Sequence, residues 1–355
     1  MSLASLDNYL SRCINEKVIP GCVCWVGNKR NTLFFEAYGH AQIVPQVAPM
    51  HKDSVFDLAS LTKPIATALS IMLLQERGLL ELDNCIDDVL PSLKKSASAC
   101  KTIKLLLTHT SGLPAWYPTY LFPEDKRLER IADLNRGDEN VIYSCLGYIL
   151  LGKIIEQITQ VNLADFFQEN ISKKLGLKTL GYGPVTAKDS VAATEKGNLH
   201  EREMAKQHGD VSQVKWRTDV IQGEVHDGNA YYALHNTAGN AGLFSNTQDL
   251  TTFTQAYLND EIIGSKTLEM MIKEHTGGEE KRGLGWRVDP YPGLLSPASF
   301  GHTGFTGTML VVDPQQDLII ILLANAVHPT VKIGLMNPIR QEVVHIITNS
   351  ITPNA

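Results

Sequence analysis

The two ends of this chain carry β-rich segments that lack partners in the middle of the sequence. Near the start, Gly21–Val26 and Thr32–Gly39 are short apolar runs separated by Gly-Asn-Lys-Arg, a pattern typical of a β-hairpin. Near the end, Leu284–Val288 precedes Gly307–Val312 and Leu318–Asn325, and the last two flank a second turn. Because consecutive strands usually pair, these segments predict that both ends of the chain meet in one antiparallel sheet.

The region between the strands has a different pattern. From about residue 77 to 281, apolar segments with helical periodicity alternate with loops rich in Gly, Asn and Pro. Amphipathic helices are also predicted over residues 2–17 and about 333–347, outside the strands. The expected fold class is α/β (α+β), with an antiparallel sheet flanked by helices and an inserted, mostly helical region. The predicted domains are 1–76 plus 282–355 for the sheet and 77–281 for the insertion.

Composition limits the classes of partner. The 355 residues include 32 Lys and Arg against 38 Asp and Glu, a net charge of −6, and no long basic run. This balance excludes the basic surface expected of a protein that binds nucleic acid or an anionic membrane. The longest apolar run, Leu318–Ala324, has the length of a strand and is too short to span a membrane. We therefore expect a small-molecule or peptide-like substrate; the oligomeric state cannot be inferred.

Cysteine usage and the N-terminal sequence bear on location. All six cysteines lie in the first 145 residues without a Cys-x-x-Cys pair, so reduced, mostly buried thiols are expected. The first twenty residues contain four charged side chains and lack the apolar core of a secretory signal. As given, the chain is expected to be cytoplasmic; a periplasmic location would follow if a signal segment has been removed.

Ser60 and Lys63 begin the most regular helical pattern of the chain, with Pro64 in its first turn and Gly78 as its stop. Residues three apart lie about 60° apart around a helix, so the hydroxyl and the amine share one face. A serine hydroxyl needs a neighbouring base, and a lysine can accept or relay its proton. The spacing is compatible with nucleophilic catalysis, but an N-cap serine beside a solvated lysine would give the same four letters.

Two later segments favour the catalytic interpretation. Tyr143-Ser144-Cys145 precedes an apolar helix, and His302-Thr303-Gly304 precedes a strand. In this order with Ser60-x-x-Lys63, they resemble the serine β-lactamase and penicillin-binding-protein superfamily, in its branch of class C β-lactamases, D-stereospecific peptidases and family VIII esterases. Five further stretches resemble the same branch: residues 56–63, 106–114, 241–245, 283–286 and 301–307.

The resemblance implies a role for each matching residue, in a cleft between the two domains. Ser60 would be the acylated nucleophile, and Lys63 would keep the local field positive and share in proton transfer. Tyr143, its phenol pKa lowered by nearby cations, would be the general base. His302 stands where the branch has Lys or His, and its titration would make activity change between roughly pH 5 and 8; a structural, hydrogen-bonded histidine is the alternative.

The resemblance also implies a substrate-binding set. The backbone N–H groups of Ser60 and Phe305 would form the oxyanion hole, with Phe305 on a strand just past Thr303 and Gly304. Thr303 and Gly304 would bind the substrate, and Gly304 would permit its close approach. In the stretch 225–230, Asp227 and Asn229 could line the substrate pocket.

Cys145 departs from the family pattern, which has Asn at this position, often in contact with the amide side chain of the substrate. A thiol is a poor hydrogen-bond donor and acceptor. The substitution puts efficient penicillin or cephalosporin recognition in doubt and favours an esterase or peptidase-like activity. Cys145 is interpreted as a packing residue next to an apolar helix; a reactive thiol is the alternative.

No metal or other cofactor is expected. The histidines that could suggest a metal site lack close-spaced partners: His200, His208, His226 and His235. The resulting hypothesis is a metal-independent serine hydrolase that acts on ester, amide or β-lactam carbonyls through an acyl-enzyme on Ser60. The alternatives are a class C-type β-lactamase or D-stereospecific peptidase proper, or a catalytically retired penicillin-fold binding protein.

Overall fold

The computed structural model describes residues 3–137 and 140–351, and a seven-stranded antiparallel sheet forms its centre. In spatial order the strands are β3 (Ala48–Pro49), β2 (Thr32–Gln42), β1 (Gly21–Gly27), β10 (Leu318–Ala324), β9 (Met309–Asp313), β8 (Phe300–Thr303) and β7 (Arg287–Val288). The first and last strands of the sequence pattern are neighbours, since Cys22 of β1 lies opposite Ala324 of β10. The two ends of the chain therefore share one sheet, and the predicted fold class is confirmed.

A second, three-stranded sheet holds the segment that leads to Ser60. It contains β4 (Phe56–Asp57), β6 (Leu243–Ser245) and β5 (Gly181–Tyr182), with β6 in the middle. Asp57 lies opposite Phe244 in this sheet. The chain that reaches Ser60 is thus fixed to a strand almost two hundred residues further along.

Helices cover both faces of the large sheet. The α-helices are α1 (Ala4–Asn15), α2 (Leu69–Glu76), α3 (Ile86–Val89), α4 (Ile103–Leu107), α5 (Arg127–Asp133), α6 (Cys145–Thr159), α7 (Leu163–Phe167), α8 (Leu199–Ala205), α9 (Thr247–Leu258), α10 (Ser265–Ile272) and α11 (Met336–Ile351). Short 3₁₀ turns lie at Ala59–Leu61, Pro91–Leu93, Thr119–Leu121, Glu124–Lys126 and Lys188–Ser190, and π-helical turns at Lys63–Ala68, Gln168–Ser172 and Asn229–Ala233. Over residues 3–137 and 140–351, none of the helices is long and apolar enough to cross a membrane.

Two apolar cores lie on opposite faces of the large sheet. On one face, Leu6 and Leu10 of α1 and Val343 of α11 pack against β1 and β10. On the other face, the large core joins alternate strand residues to the buried faces of α2, α6 and α9. Because both faces are covered, every residue of β1 and β10 is buried, as their continuous apolar sequences require. Side chains from both predicted domains contribute to the large core, and the boundaries at 77 and 282 stay a prediction.

Two local elements differ from the sequence prediction. The strand expected over residues 284–288 is reduced to Arg287–Val288, because Gly283 donates a hydrogen bond to the Trp286 carbonyl and Gly285 has a φ of +94°, which makes a turn. The helix expected from Ser60 begins instead as a 3₁₀ turn followed by a π-helical turn, and becomes regular only at Leu69. Pro64 lies in that first section and has no N–H to donate.

Replacing Tyr257 with Phe tests the packing that fixes β7. The Trp286 indole N–H donates to the Tyr257 hydroxyl at 3.1 Å, and both side chains are buried. Because Tyr257→Phe leaves a buried donor without an acceptor, we expect the free energy of unfolding to fall by about 1–3 kcal/mol in urea titrations. Thr252→Ala, an exposed change on the same helix, is the control and should stay within about 0.5 kcal/mol of wild type. Equal stability of the two variants would contradict this packing account.

Candidate active site

Ser60 lies on a tight turn that a buried carboxylate holds in place. The Asp57 carboxylate accepts hydrogen bonds from the N–H of Ala59 at 2.8 Å and the N–H of His226 at 2.7 Å. Between Asp57 and Ser60, Ala59 has a φ of +46°, a conformation that is costly for a residue with a side chain. The strand before the turn and the hydrogen bonds to Asp57 fix Ser60 at the edge of a cavity.

The structure brings Ser60 and Lys63 into direct contact. The ammonium of Lys63 donates to Ser60 Oγ at 3.0 Å and to the carbonyl of Asn240 at 3.1 Å. Lys63 is fully buried, and its Nζ lies 4.9 Å from the centre of the Tyr143 ring. Burial lowers the pKa of Lys63, but the negative charge that Cys145 and Tyr143 carry when ionised raises it, and the net pKa lies above its ordinary value. Lys63 is therefore a charged donor at neutral pH.

Tyr143 lies beside this ammonium in the segment that leads into α6. Its buried hydroxyl lies near Lys63 and Ser60, and both favour the phenolate, but neither meets the geometry of an ordinary hydrogen bond to it. Burial raises the pKa of the phenol, and the charge of Lys63 offsets only part of that effect. The expectation that nearby cations lower the pKa of Tyr143 is thus wrong in its net direction, because the cost of removing a phenolate from water is larger.

His302, on β8, completes the wall of the site next to Tyr143. Its ring centre lies 5.7 Å from that of Tyr143, and its Nδ1 is 2.8 Å from the carbonyl oxygen of Thr303. Burial, together with the charges of Arg282 and Lys63, places the pKa of His302 well below 6.5. The predicted titration between pH 5 and 8 is therefore wrong, and a neutral His302 donates from Nδ1 while its buried Nε2 has no described partner.

The predicted oxyanion donors have free N–H groups. Neither Ser60 N–H nor Phe305 N–H donates a hydrogen bond to any residue that the structure describes. Phe305 lies in a turn beyond the end of β8, so its predicted place on a strand is wrong. Gly304, within that turn, has no room for a side chain, because a Cβ there would overlap Thr308 Oγ1 and the Leu58 carbonyl. The packing explains why glycine stands at this position.

Cys145, at the start of α6, lies close to Lys63. Burial raises the pKa of its thiol, and the charge of Lys63 opposes that effect. The thiol is therefore protonated at neutral pH. Cys145 was predicted to pack beside the apolar helix α6, but its thiol also lies next to the Lys63 ammonium.

Asp227 and Asn229 were both predicted to line the substrate pocket, and in the structure their side chains hold neighbouring residues in place. The Asp227 carboxylate accepts from the side-chain amide of Asn240 at 3.2 Å, so it supports the residue whose carbonyl binds Lys63. Asn229 is fully buried, and its side chain bonds both Thr119 and the carbonyl of Tyr117. The prediction that Asn229 lines the substrate pocket is not supported, because its amide groups are used to hold the 117–119 segment.

A cavity of about 430 Å³ begins at the catalytic residues and extends along β8. Its lining includes Ser60, Tyr143 and His302 together with Arg287 and Asn337. No group of three or more His, Cys, Asp or Glu side chains suited to a metal ion occurs within the described ranges. The exposed faces of Thr303 and Phe305 lie along the cavity wall.

Sequence reasoning missed two residues that contact Tyr143. The ring centre of His109 lies 4.6 Å from that of Tyr143, and its Nδ1 accepts from the N–H of Ser144 at 3.0 Å. The Arg282 guanidinium carbon lies 5.2 Å from the Tyr143 ring centre. His109 lies in the stretch 106–114, and Arg282 directly precedes the stretch 283–286. Both stretches resemble the family, but the resemblance did not indicate a contact with Tyr143.

Comparisons with known proteins identify the family and the fold of the chain. A family model described as Beta-lactamase matches residues 6–344. The putative D-alanyl-D-alanine carboxypeptidase of Escherichia coli (strain K12) is 30% identical over 378 residues, covering 93% of this chain and 85% of the relative. A class C beta-lactamase from Rhodobacter sphaeroides has a TM-score of 0.75 at 22% identity, covering 98% of this chain and 99% of that chain. EstCE1, a hydrolase with promiscuous acyltransferase activity, has a TM-score of 0.71 at 20% identity, covering 97% and 98%.

The family match spans almost the whole chain, and the fold is similar to that of the solved structures. The chain belongs to the Beta-lactamase family of serine hydrolases, as its motifs predicted.

Proposed function

We propose that this chain hydrolyses ester and amide carbonyls through an acyl-enzyme on Ser60, without a metal ion. The observation that carries the proposal is the 3.0 Å contact between Lys63 Nζ and Ser60 Oγ, beside the buried hydroxyl of Tyr143. A retired binding protein would have no chemical need for this arrangement. The contact therefore favours catalysis over the binding-protein alternative.

Acylation uses the three groups in sequence. When the Lys63 and Tyr143 pair has lost one proton, the Tyr143 phenolate accepts the Ser60 proton while Oγ attacks the carbonyl carbon. The N–H groups of Ser60 and Phe305 stabilise the negative charge on the carbonyl oxygen. The tetrahedral intermediate then collapses, the C–O or C–N bond breaks, and Tyr143 returns the proton to the leaving group. Water attacks the acyl-enzyme by the same route and releases Ser60.

The thiol of Cys145 favours simple esters and amides as substrates of this mechanism. A thiol supplies no strong hydrogen bond to the amide side chain of a penicillin or cephalosporin. Simple esters and amides do not need that contact, because they need only the nucleophile, the base and the oxyanion donors. We therefore place ester and amide hydrolysis ahead of β-lactam hydrolysis.

A peptidase that acts on a free C-terminus is the second candidate, and the polar lining of the cavity favours it. Arg287 is exposed there and has no ion pair with a described residue, while Thr303 and Asn337 offer polar side chains nearby. An arginine with adjacent hydroxyl and amide groups suits a carboxylate. The E. coli relative named as a putative D-alanyl-D-alanine carboxypeptidase supports the same choice.

Ser60→Ala tests the nucleophile. Because the hydroxyl is the group that is acylated, we expect loss of labelling by a fluorophosphonate probe and at least a ~10³-fold loss of nitrophenyl ester turnover. Intact mass and peptide mapping locate the label. Ser212→Ala, an exposed change, is the control and should keep both signals. Labelling that persists in Ser60→Ala would rule out Ser60 as the acylated residue.

The pH profile tests the assignment of the base. Since the pKa values of Lys63 and Tyr143 are both raised, the pair keeps its protons at neutral pH, and kcat/KM for a neutral ester should rise as the pH increases above about 7. His302 stays neutral across this range, so His302→Gln should leave the position of the limb unchanged. A limb near pH 6.5 that disappears in His302→Gln would contradict the assignment.

Cys145→Asn tests whether the thiol limits β-lactam recognition. One added hydrogen bond to the amide side chain of a chromogenic cephalosporin should raise its acylation rate about tenfold, which corresponds to ~1.4 kcal/mol. Turnover of a short-chain nitrophenyl ester should change much less, because that ester has no amide side chain. Cys145→Ala is the matched control, since it removes the thiol without adding an amide. An equal response of both variants to the cephalosporin would refute the explanation.

A further inference from the structure

Arg282 is a buried cation that the proposed mechanism leaves without a role. Its side chain lines the same cavity as Ser60 and Tyr143, and only 6% of the residue is exposed. The guanidinium carbon lies 5.2 Å from the centre of the Tyr143 ring. Burial of a charge next to a catalytic phenol is costly, and it therefore calls for an explanation.

The local backbone fixes the position of Arg282. Its N–H donates to Thr276 Oγ1 at 2.9 Å, and its carbonyl accepts from the N–H of His275 at 2.8 Å. The guanidinium forms an ion pair with Glu280, whose side chain is 43% exposed, while the buried Nε has no partner among the described residues. The Gly283–Trp286 turn follows directly. The guanidinium is thus held near Tyr143 by a partner that is itself partly in water.

The charges around Tyr143 show why a second cation matters. His109 and His302 both contact the Tyr143 ring, but burial holds the pKa of each well below 6.5 and both are neutral. Lys63 and Arg282 are then the permanent positive charges closest to the ring among the described residues. Arg287 lies opposite Arg282 in a β-bridge and lines the same cavity. The other titratable or charged groups around Tyr143, Arg282 and their immediate partners are Lys63, His109, Cys145, Tyr148, Asp227, Glu280, His302 and Arg340.

We propose that Arg282 is a positioning residue that supplies, next to Tyr143, the fixed positive charge that a neutral His302 does not supply. The guanidinium favours the phenolate over the phenol, so the base forms at a lower pH and Ser60 is acylated faster near neutrality. The inference rests on the proposed function, because it assigns Arg282 through the role of Tyr143 as base. No atom of Arg282 takes part in bond making or breaking.

The test is the pH dependence of Ser60 acylation by an uncharged fluorophosphonate. An opposite charge within about 4–6 Å shifts a pKa by 1–3 units, and Glu280 offsets part of the charge, so Arg282→Gln should move the limb up by about one pH unit. Arg282→Lys keeps the positive charge, so the pH at which the acylation rate rises should stay close to that of the wild type. Arg30→Gln removes an exposed positive charge elsewhere and is the control for net charge. Circular dichroism and thermal unfolding check the fold of each variant.

Two further variants separate the effects of neighbouring groups. Glu280→Gln removes the counter-charge from a partly exposed position, so it should move the limb to lower pH, opposite to Arg282→Gln. This variant tests the proposal even if Arg282→Gln does not fold. Arg282 also lowers the pKa of His302, so Arg282→Gln is repeated in a His302→Gln background, where His302 cannot titrate.

The outcomes distinguish a failure of the inference about Arg282 from a failure of the proposed function. Opposite shifts for Arg282→Gln and Glu280→Gln support the inference. Ser60-dependent labelling with unshifted limbs overturns the inference and leaves the proposed function intact. A rise in KM confined to substrates with a free carboxylate, again without a shift, would make Arg282 a substrate-binding group and overturn the positioning role. Absence of Ser60-dependent labelling in the wild type would remove the proposed function and the inference with it.

Discussion

The buried ammonium of Lys63 is the constraint on which the rest of the site depends. A charge without water must be hydrogen-bonded or paired, and the structure meets that need with Ser60 Oγ and the carbonyl of Asn240. Asp227 in turn holds the side chain of Asn240, and the rings of Tyr143 and Tyr148 present their faces to the charge at 4.9 and 5.9 Å. The contact that stabilises the lysine is the same one that orients the serine.

The fold satisfies this constraint by joining segments that are far apart in the sequence. β1 and β10 pair at the centre of the large sheet, which brings β8 and His302 beside the turn at Ser60. Thr306 and Thr308 donate to the carbonyls of Asp57 and Leu58, so the turn beyond β8 is attached directly to the chain that carries the serine. Arg340 of α11 donates to the carbonyls of Gly304 and Thr308. Elements on both faces of the large sheet thus fix the wall of the site that β8 and the following turn form.

Local spacing and family motifs predicted the parts of the site that depend on short-range geometry. Ser60 and Lys63 could be placed together because three residues make almost one helical turn, and the motif order indicated that Tyr143 and His302 would join them. The direction of the pKa shifts could not be predicted, because it depends on how completely Tyr143 and His302 are buried. Asn229 was misplaced because its partner Thr119 lies 110 positions away in the sequence.

The site combines a nucleophile in contact with a buried lysine, a base whose pKa is raised by burial, and a neutral histidine where a titrating one was expected. The most direct test of the central claim is a crystal structure of the protein after reaction with a fluorophosphonate. The account predicts a covalent bond to Ser60 Oγ, with the phosphoryl oxygen within hydrogen-bond distance of the N–H groups of Ser60 and Phe305. A bond to Cys145 Sγ, or an oxygen that points away from both N–H groups, would contradict it.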